Sequence, residues 1–128
     1  MKLLLDTHSF LWLDAQPQEV SAAALAACES PDNELYLSLV SAWEIQIKTQ
    51  LNKLSLRVPL EQMIQVQQAD NGLQILPITL PHIRELSSLP LHHKDPFDRL
   101  LIAQARIEGA YLVSADGVFK DYPVNRLW

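Results

Sequence analysis

The chain has 128 residues, of which 48% are hydrophobic and 20% are charged, a composition typical of one soluble globular domain spanning residues 1–128. No apolar stretch approaches the length of a bilayer span, and the short apolar run after Met1 is too brief for a secretory signal, so we predict a cytoplasmic protein without a membrane segment. The net charge of −5 argues against broad, sequence-independent nucleic-acid binding, which needs a basic surface.

Short apolar runs alternate with helical patterns along the chain. Five runs are nearly all apolar, as expected for strands that are covered on both faces of a parallel sheet: Lys2–Leu5, Leu35–Ser38, Leu73–Ile78, Ala110–Ser114 and Val124–Leu127. Six helices are predicted around them: Thr7–Leu13, Ser21–Cys28, Leu39–Leu51, Leu60–Ala69, Leu80–Leu89 and Pro96–Glu108. This alternation predicts a three-layer α/β/α sandwich with a central, mainly parallel sheet.

The first and last of four notable acids follow predicted strands. Asp6 ends the run Lys2–Leu5, and Asp116 comes directly after the strand Ala110–Ser114. Each has a local explanation, since Asp6 can cap the next helix and Asp116 before Gly117 is a strong turn signal. Open α/β sheets, however, bind ligands beyond the carboxyl ends of their strands. Both acids are therefore candidates for a functional site.

Glu44 lies within the predicted helix Leu39–Leu51. Four apolar residues form the stripe expected to face the core: Val40, Trp43, Ile47 and Leu51. Glu44 lies on the flank of that stripe, Ser41 with Glu44 matches a capping box, and Lys48 is placed for an i,i+4 ion pair. That pair contributes only about 0.3–0.5 kcal/mol, which is small beside the cost of partly burying a carboxylate. We therefore favour a functional role for Glu44.

Asp98 opens the predicted helix Pro96–Glu108. Asp95 before Pro96 is a strong N-cap, and an acid at the third helical position complements the helix dipole. Asp98 also shares a helix face with apolar residues at spacings of three, four and seven: Leu101, Ile102 and Ala105. It therefore points towards the apolar side, and two acids are more than a cap needs.

Together, the four acids on four elements indicate a shared pocket. Two unit charges about 4 Å apart repel by roughly 4 kcal/mol at an effective dielectric near 20. A pocket of three or four carboxylates is therefore unstable unless protons, a basic group or divalent cations compensate it. Cys28 is the only cysteine and falls on an apolar stripe, so a thiolate zinc site is excluded. Oxygen ligands suit Mg²⁺ or Mn²⁺.

Four segments resemble the PIN domain and, more narrowly, the VapC-type toxins of bacterial type II toxin–antitoxin pairs. They are Leu-Leu-Leu-Asp-Thr-His (3–8), Ser-Leu-Val-Ser-Ala-Trp-Glu-Ile-Gln-Ile-Lys (38–48), Asp-Pro-Phe-Asp-Arg-Leu-Leu-Ile-Ala-Gln-Ala (95–105) and Leu-Val-Ser-Ala-Asp (112–116). The resemblance spans almost the whole chain, with the motifs in family order. It implies a metal-dependent endoribonuclease. The catalytic and metal-binding residues would then be four acids: Asp6, Glu44, Asp98 and Asp116.

The resemblance also implies supporting residues and partners. Thr7 and Ser114 match family hydroxyl positions. Asp95 lies outside the quartet, and we interpret it as a helix cap that could also support the metal-binding residues without contacting the ion. The implied substrate is RNA, commonly a loop of tRNA or ribosomal RNA. The implied partner is a cognate antitoxin whose basic C-terminal segment covers the acidic pocket, within a larger complex that contains a toxin homodimer. Operator DNA is then contacted through the antitoxin.

Other residues have weaker claims to the site. Three cations are candidates to grip substrate phosphates: Arg99, Lys48 and Lys94. His92 and His93 are interpreted as surface histidines of a loop. The three tryptophans (Trp12, Trp43 and Trp128) could stack on bases, but we favour packing roles for them.

Three rival functions share some of these features. A receiver-like signalling domain also carries carboxylates and Mg²⁺ at strand ends, but it needs a strand-end lysine where this chain has Asp116. A phosphatase of the haloacid-dehalogenase type needs a second aspartate where this chain has His8. A non-catalytic PIN-fold interaction module does not need the intact quartet.

Overall fold

In the computed structural model, which describes residues 1–128, five strands form one parallel sheet. They are β1 (Lys2–Leu5), β2 (Glu34–Ser38), β3 (Gln74–Leu76), β4 (Tyr111–Val113) and β5 (Arg126–Leu127). Their spatial order is β3-β2-β1-β4-β5, and every neighbouring pair is parallel. The five predicted strands are confirmed, although β3, β4 and β5 are shorter than predicted.

Six helices accompany the sheet, as predicted. They are α1 (Thr7–Ala15), α2 (Ala22–Glu29), α3 (Leu39–Gln50), α4 (Leu60–Asn71), α5 (Leu80–Glu85) and α6 (Pro96–Glu108). The predicted helix Leu80–Leu89 ends early, because α5 tightens into a 3₁₀ turn over Leu86–Ser88. None of the helices is both long and apolar enough to cross a membrane.

Two hydrophobic cores lie on opposite faces of the sheet. Leu3 and Leu5 of β1 point into one core, where Phe10 of α1 is also buried. Leu4 points into the other core, with Leu101 of α6. Successive side chains of a strand face opposite sides, so a strand that is apolar at every position needs helices on both faces. This arrangement confirms the α/β/α sandwich.

The strand order reverses between β1 and β4. The chain runs outward from β1 through β2 to β3, and then returns to the other side of β1 with β4 and β5. The Asp6 amide donates to the Val113 carbonyl at 3.1 Å, and the Ser9 hydroxyl donates to the same oxygen at 2.9 Å. The carboxyl ends of β1 and β4 are thereby joined at a switch point, where open α/β sheets bind ligands.

The single cysteine is a core residue, as predicted. Cys28 is buried on α2, within the same core as Leu3 and Leu5. Burial, aided by the nearby charge of Glu29, raises the pKa of its thiol to about 11. The thiol is therefore protonated at neutral pH and packs as a small apolar side chain.

Candidate metal centre

Asp6 lies at the carboxyl end of β1 with its side chain 6% exposed. One carboxylate oxygen, Oδ1, accepts the Ser9 amide at 2.8 Å and so caps α1. The other, Oδ2, accepts the Ser114 hydroxyl at 2.6 Å. The cap and the site role are thus compatible, because each carboxylate oxygen has a further lone pair to offer. Ser114 fixes the direction in which Asp6 faces.

Asp116 lies two residues beyond Ser114 and shares a pocket with Asp6. Its amide donates to the Ser114 hydroxyl at 3.0 Å, and its Oδ1 accepts the Val118 amide at 3.0 Å. The predicted turn therefore forms, and it leaves the exposed carboxylate at the pocket. Arg126 adds a permanent positive charge here by donating to the Ser114 and Asp116 carbonyls at 3.4 and 3.3 Å. No motif in the sequence indicates this role for Arg126.

Glu44 lies on the buried face of α3 with only 4% of its surface exposed. The Thr7 hydroxyl donates to Glu44 Oε1 at 2.6 Å and lies 3.0 Å from the Ser41 hydroxyl. Lys48 Nζ lies 2.5 Å from Glu44 Oε2, so the predicted i,i+4 pair forms. The Glu44 hydrogen bond raises the pKa of Lys48, which opposes its partial desolvation. The ammonium therefore stays charged and compensates the buried carboxylate.

Asp98 lies in the first turn of α6 beside a second acid and a histidine. Asp95 caps the helix, its Oδ1 accepting the amides of Phe97 and Asp98 at 2.8 and 3.0 Å. His93 Nε2 lies 2.8 Å from Asp98 Oδ2. Burial raises the pKa of Asp98 to about 6; the charges of Asp95 and Glu44 add to this effect, and the His93 hydrogen bond opposes it. Asp98 is thus an incompletely compensated carboxylate.

A clamp of side chains holds the loop that carries His93. The Arg99 guanidinium donates to the carbonyls of Pro90 at 2.7 Å and Leu86 at 3.3 Å, and also to the Tyr122 hydroxyl at 3.3 Å. The same hydroxyl accepts the His93 amide at 2.8 Å. The start of α6 and the distant Tyr122 therefore hold the backbone of the loop from which the imidazole reaches Asp98.

The structure arranges the predicted quartet in two linked halves. Asp6 and Asp116 line one pocket, while the charge of Glu44 acts on Asp98 in the other half. Thr7, next to Asp6, bridges the halves through its bond to Glu44. The helix α6 runs opposite to the strands before entering β4, which brings its first turn to the carboxyl edge of the sheet. The four predicted acids therefore border the same edge.

The donor set fits a divalent cation. The ligand atoms of His93, Asp95 and Asp98 lie within 4.8 Å of one another, while Asp6, Glu44 and Asp116 stand outside this group. All the donors are carboxylate oxygens apart from one imidazole nitrogen, and the only thiol is buried in a core. Such a set suits Mg²⁺ or Mn²⁺, and imidazole favours Mn²⁺ within that pair. Added positive charge beside Asp98 would offset the charges of Asp95 and Glu44, which help to raise its pKa.

Several sequence interpretations need correction. The predicted apolar stripe of α3 was wrong, because Trp43 and Leu51 are 56% and 57% exposed. The buried face of that helix carries these residues instead: Val40, Ser41, Glu44 and Ile45. The Ser41–Glu44 capping box does not form, since the Ser38 side chain caps α3 by accepting the Val40 amide. His93 lies in a loop with 27% of its side chain exposed, as predicted, and its imidazole also contacts Asp98.

The three candidate phosphate-binding cations differ in their surroundings. Arg99 directs its donors to carbonyl oxygens and to Tyr122, which favours a structural role. Lys48 is paired with Glu44 but remains partly exposed. Lys94 is exposed. A substrate-binding role for each stays a prediction.

Residues 3–125 of the chain match the PIN domain family. This protein belongs to the PIN domain family. Ribonuclease VapC22 of Mycobacterium tuberculosis is 32% identical to this PIN domain over 115 residues, which cover 89% of this chain and 86% of the relative. The agreement supports the resemblance to VapC-type proteins that the sequence motifs indicated.

Solved structures with the same fold include two complexes bound to DNA. The chain aligns with VapBC2 from Rickettsia felis bound to a promoter DNA fragment, with a TM-score of 0.75, 17% identity and coverage of 100% of this chain and 98% of that chain. It aligns with DNA-bound VapBC from Salmonella typhimurium with a TM-score of 0.66, 15% identity and coverage of 100% and 97%. At these identities the likeness shows a shared fold.

Proposed function

We propose that this PIN domain is a divalent-metal-dependent endoribonuclease and the toxin of a type II toxin–antitoxin pair. The observation that carries the proposal is the gathering of carboxylates at the carboxyl edge of the sheet. Asp98 is partly buried beside Asp95 and Glu44 with its pKa raised to about 6, and Asp6 and Asp116 line the adjoining pocket. Family membership and the name of the M. tuberculosis relative support RNA as the substrate.

The proposed reaction is hydrolysis of a phosphodiester bond. Asp6, Asp98 and Asp116 would hold Mg²⁺ or Mn²⁺, directly or through water. When bound, divalent cations supply Lewis acidity at the scissile phosphate and stabilise its developing negative charge. Water attacks phosphorus and gives up one proton to solvent, and the bond from phosphorus to the leaving ribose oxygen breaks as that oxygen takes up a proton from solvent. Glu44 orients the attacking water by accepting a hydrogen bond from it.

The surrounding hydroxyl groups pre-organise the carboxylates. Thr7 and Ser114 each donate a 2.6 Å hydrogen bond, to Glu44 and Asp6 respectively. These bonds lock each carboxylate in one rotamer before substrate arrives, so less ordering remains for the transition state. His93 orients Asp98 in the same way.

The net charge of −5 fits a partner of opposite charge. We propose a cognate antitoxin whose basic C-terminal segment covers the acidic edge and competes with the cations for these carboxylates. We further propose a toxin homodimer within a larger complex that reaches operator DNA through the antitoxin; two VapBC complexes that share this fold were solved bound to DNA.

The test is cleavage by the purified full-length chain. The protein is incubated with a panel of tRNA, ribosomal RNA fragments and unstructured RNA in Mg²⁺, Mn²⁺ or a chelator, and RNA ends are sequenced. We expect cleavage at defined positions with a divalent ion, none with chelator, and at least about a hundredfold less in Asp98→Asn. Equal activity with chelator, or in the Asp98→Asn variant, would overturn the proposal.

A further inference from the structure

Next to the two strand-end acids lies a pocket with aromatic walls. It has a volume of about 260 Å³ and is lined by Asp6, His8, Trp12, Ala115 and Asp116. Ligand pockets for drug-sized molecules measure about 300–1,000 Å³. The volume of this pocket therefore suits a ligand smaller than a drug-sized molecule, such as a single planar ring system.

Trp12 is held as a fixed wall of the pocket. It lies one helical turn after His8 on α1, and the two ring centres are 6.0 Å apart. The Trp128 ring packs against it at 5.9 Å, and both indoles are partly buried against the core that contains Leu3 and Leu5. The indole of Trp12 is thus anchored through Trp128 while it still lines the pocket.

Charge around the pocket is arranged for a nucleotide. Asp6 and Asp116 are the proposed cation ligands, so a phosphate at those cations places its own nucleoside beside this pocket. Arg126 contributes a positive charge beside Asp116, bound to that residue's carbonyl at 3.3 Å. The negative phosphate would therefore lie near positive charge, while the adjoining base would lie against the aromatic surface of Trp12.

We propose that this pocket binds one unpaired RNA base, stacked on Trp12, next to the scissile phosphate. The inference rests on the proposed nuclease function and adds to it a subsite for one base, with Trp12 as the side chain that positions that base. Bases in a duplex have both faces covered by neighbours, whereas an unpaired base can turn out and stack on an aromatic side chain. Stacking tolerates any base, because every base has a π face.

The test compares two substitutions of Trp12. Trp12→Leu keeps apolar contact with the core but removes the ring, and Trp12→Phe keeps a ring. Tyr111→Leu is the matched control, since Tyr111 is an exposed aromatic residue at the amino end of β4, whereas the pocket lies at the carboxyl ends of the strands. Binding of fluorescent octauridine and of a short RNA duplex is measured in Ca²⁺, and circular dichroism checks that each variant is folded.

We expect Trp12→Leu to weaken octauridine binding by about 5- to 100-fold. Trp12→Phe should retain most of the affinity, and Tyr111→Leu should bind like the wild type. The wild type should prefer octauridine over the duplex. Equal affinity in Trp12→Leu and the wild type would overturn the inference, as would no binding of octauridine at all.

A second readout reports stacking itself. RNA carrying 2-aminopurine loses fluorescence when that base stacks, so the wild type and Trp12→Phe should quench it and Trp12→Leu should not. If the wild type cleaves RNA but quenching is independent of Trp12, the base site fails while the nuclease proposal stands. If quenching depends on Trp12 but no RNA is cleaved with any divalent ion, the nuclease proposal fails and the base site stands.

Discussion

The Thr7 hydroxyl donates a 2.6 Å hydrogen bond to Glu44 Oε1, joining the end of β1 to the buried face of α3. Thr7 follows Asp6 directly, so this bond links the Asp6–Asp116 pocket with the half of the site that contains Glu44 and Asp98. The neutral Thr7 hydroxyl orients the Glu44 carboxylate without cancelling its charge. The remaining repulsion is what we expect a cation to relieve.

Removing one of these carboxylates should stabilise the metal-free protein. Asp98→Asn keeps the shape of the side chain and removes a charge that is partly buried beside Glu44 and Asp95. At pH 7.5 with a chelator, we expect the free energy of unfolding to rise by about 1–3 kcal/mol, measured by urea denaturation. An unchanged or lower value would show that Asp98 is well compensated without a cation.

The Asp98 carboxylate should also make the free energy of unfolding of the metal-free protein depend on pH, with a sign that follows from its raised pKa. The pKa of Asp98 is about 6 in the folded chain and 3.8 as the ordinary value, so between these pH values the folded state binds more protons than the unfolded state. The contribution of Asp98 to stability is therefore present at low pH and is lost as pH rises through about 6. The advantage of Asp98→Asn over the wild type should accordingly be small at pH 4 and large at pH 7. An advantage that shrinks as pH rises would contradict this sign.

His93 should act through the orientation and proton affinity of Asp98. Its hydrogen bond lowers the pKa of Asp98, so His93→Ala should raise that pKa further and move the acid limb of Mn²⁺ binding to higher pH. His93→Gln can still donate a hydrogen bond and should restore much of the wild-type profile. His92→Ala is the matched control, because His92 packs its ring against Tyr122 instead. Identical pH profiles for His93→Ala and the wild type would exclude this role.

Lys48 should stabilise the metal-free protein by compensating Glu44. Lys48→Gln leaves a carboxylate that is 4% exposed without its cation, so we expect a loss of about 1–2 kcal/mol in the free energy of unfolding. Lys53→Gln, on an exposed lysine, is the control and should change stability little. Mn²⁺ should recover part of the loss if it replaces the ammonium charge. Equal unfolding midpoints for the two variants would remove Lys48 from this role.

The strands and the positions of the acids were predictable because their signals are local. An apolar run followed by an acid is visible in Lys2–Leu5 with Asp6, and parallel strands bring their carboxyl ends to one edge. The partial burial of Asp98 was also predictable, since the helix face it shares with Leu101 and Ile102 is the buried one. The fold and the candidate acids therefore follow largely from periodicity and strand ends.

The buried face of α3 and the position of His93 could not be predicted from the sequence, because both depend on contacts between separate elements of the fold. The spacing of Trp43 and Leu51 indicated an apolar stripe on α3, yet the helix buries Ser41 and Glu44 instead, and both contact the Thr7 hydroxyl. Trp43 instead packs its ring against the edge of Phe97 at 5.2 Å. The position of His93 depends in turn on Arg99 and Tyr122, which come from α6 and from the segment after β4. No spacing within the sequence indicates those contacts.

The most direct measurement is calorimetric titration of Mn²⁺ into the metal-free wild type and Asp98→Asn at pH 7.5. We predict saturable binding by the wild type and at least about tenfold weaker binding by Asp98→Asn, which corresponds to 1.4 kcal/mol or more. Equal affinities in the two proteins, or no uptake of Mn²⁺ or Mg²⁺ by the wild type even with RNA present, would contradict a metal centre at this edge.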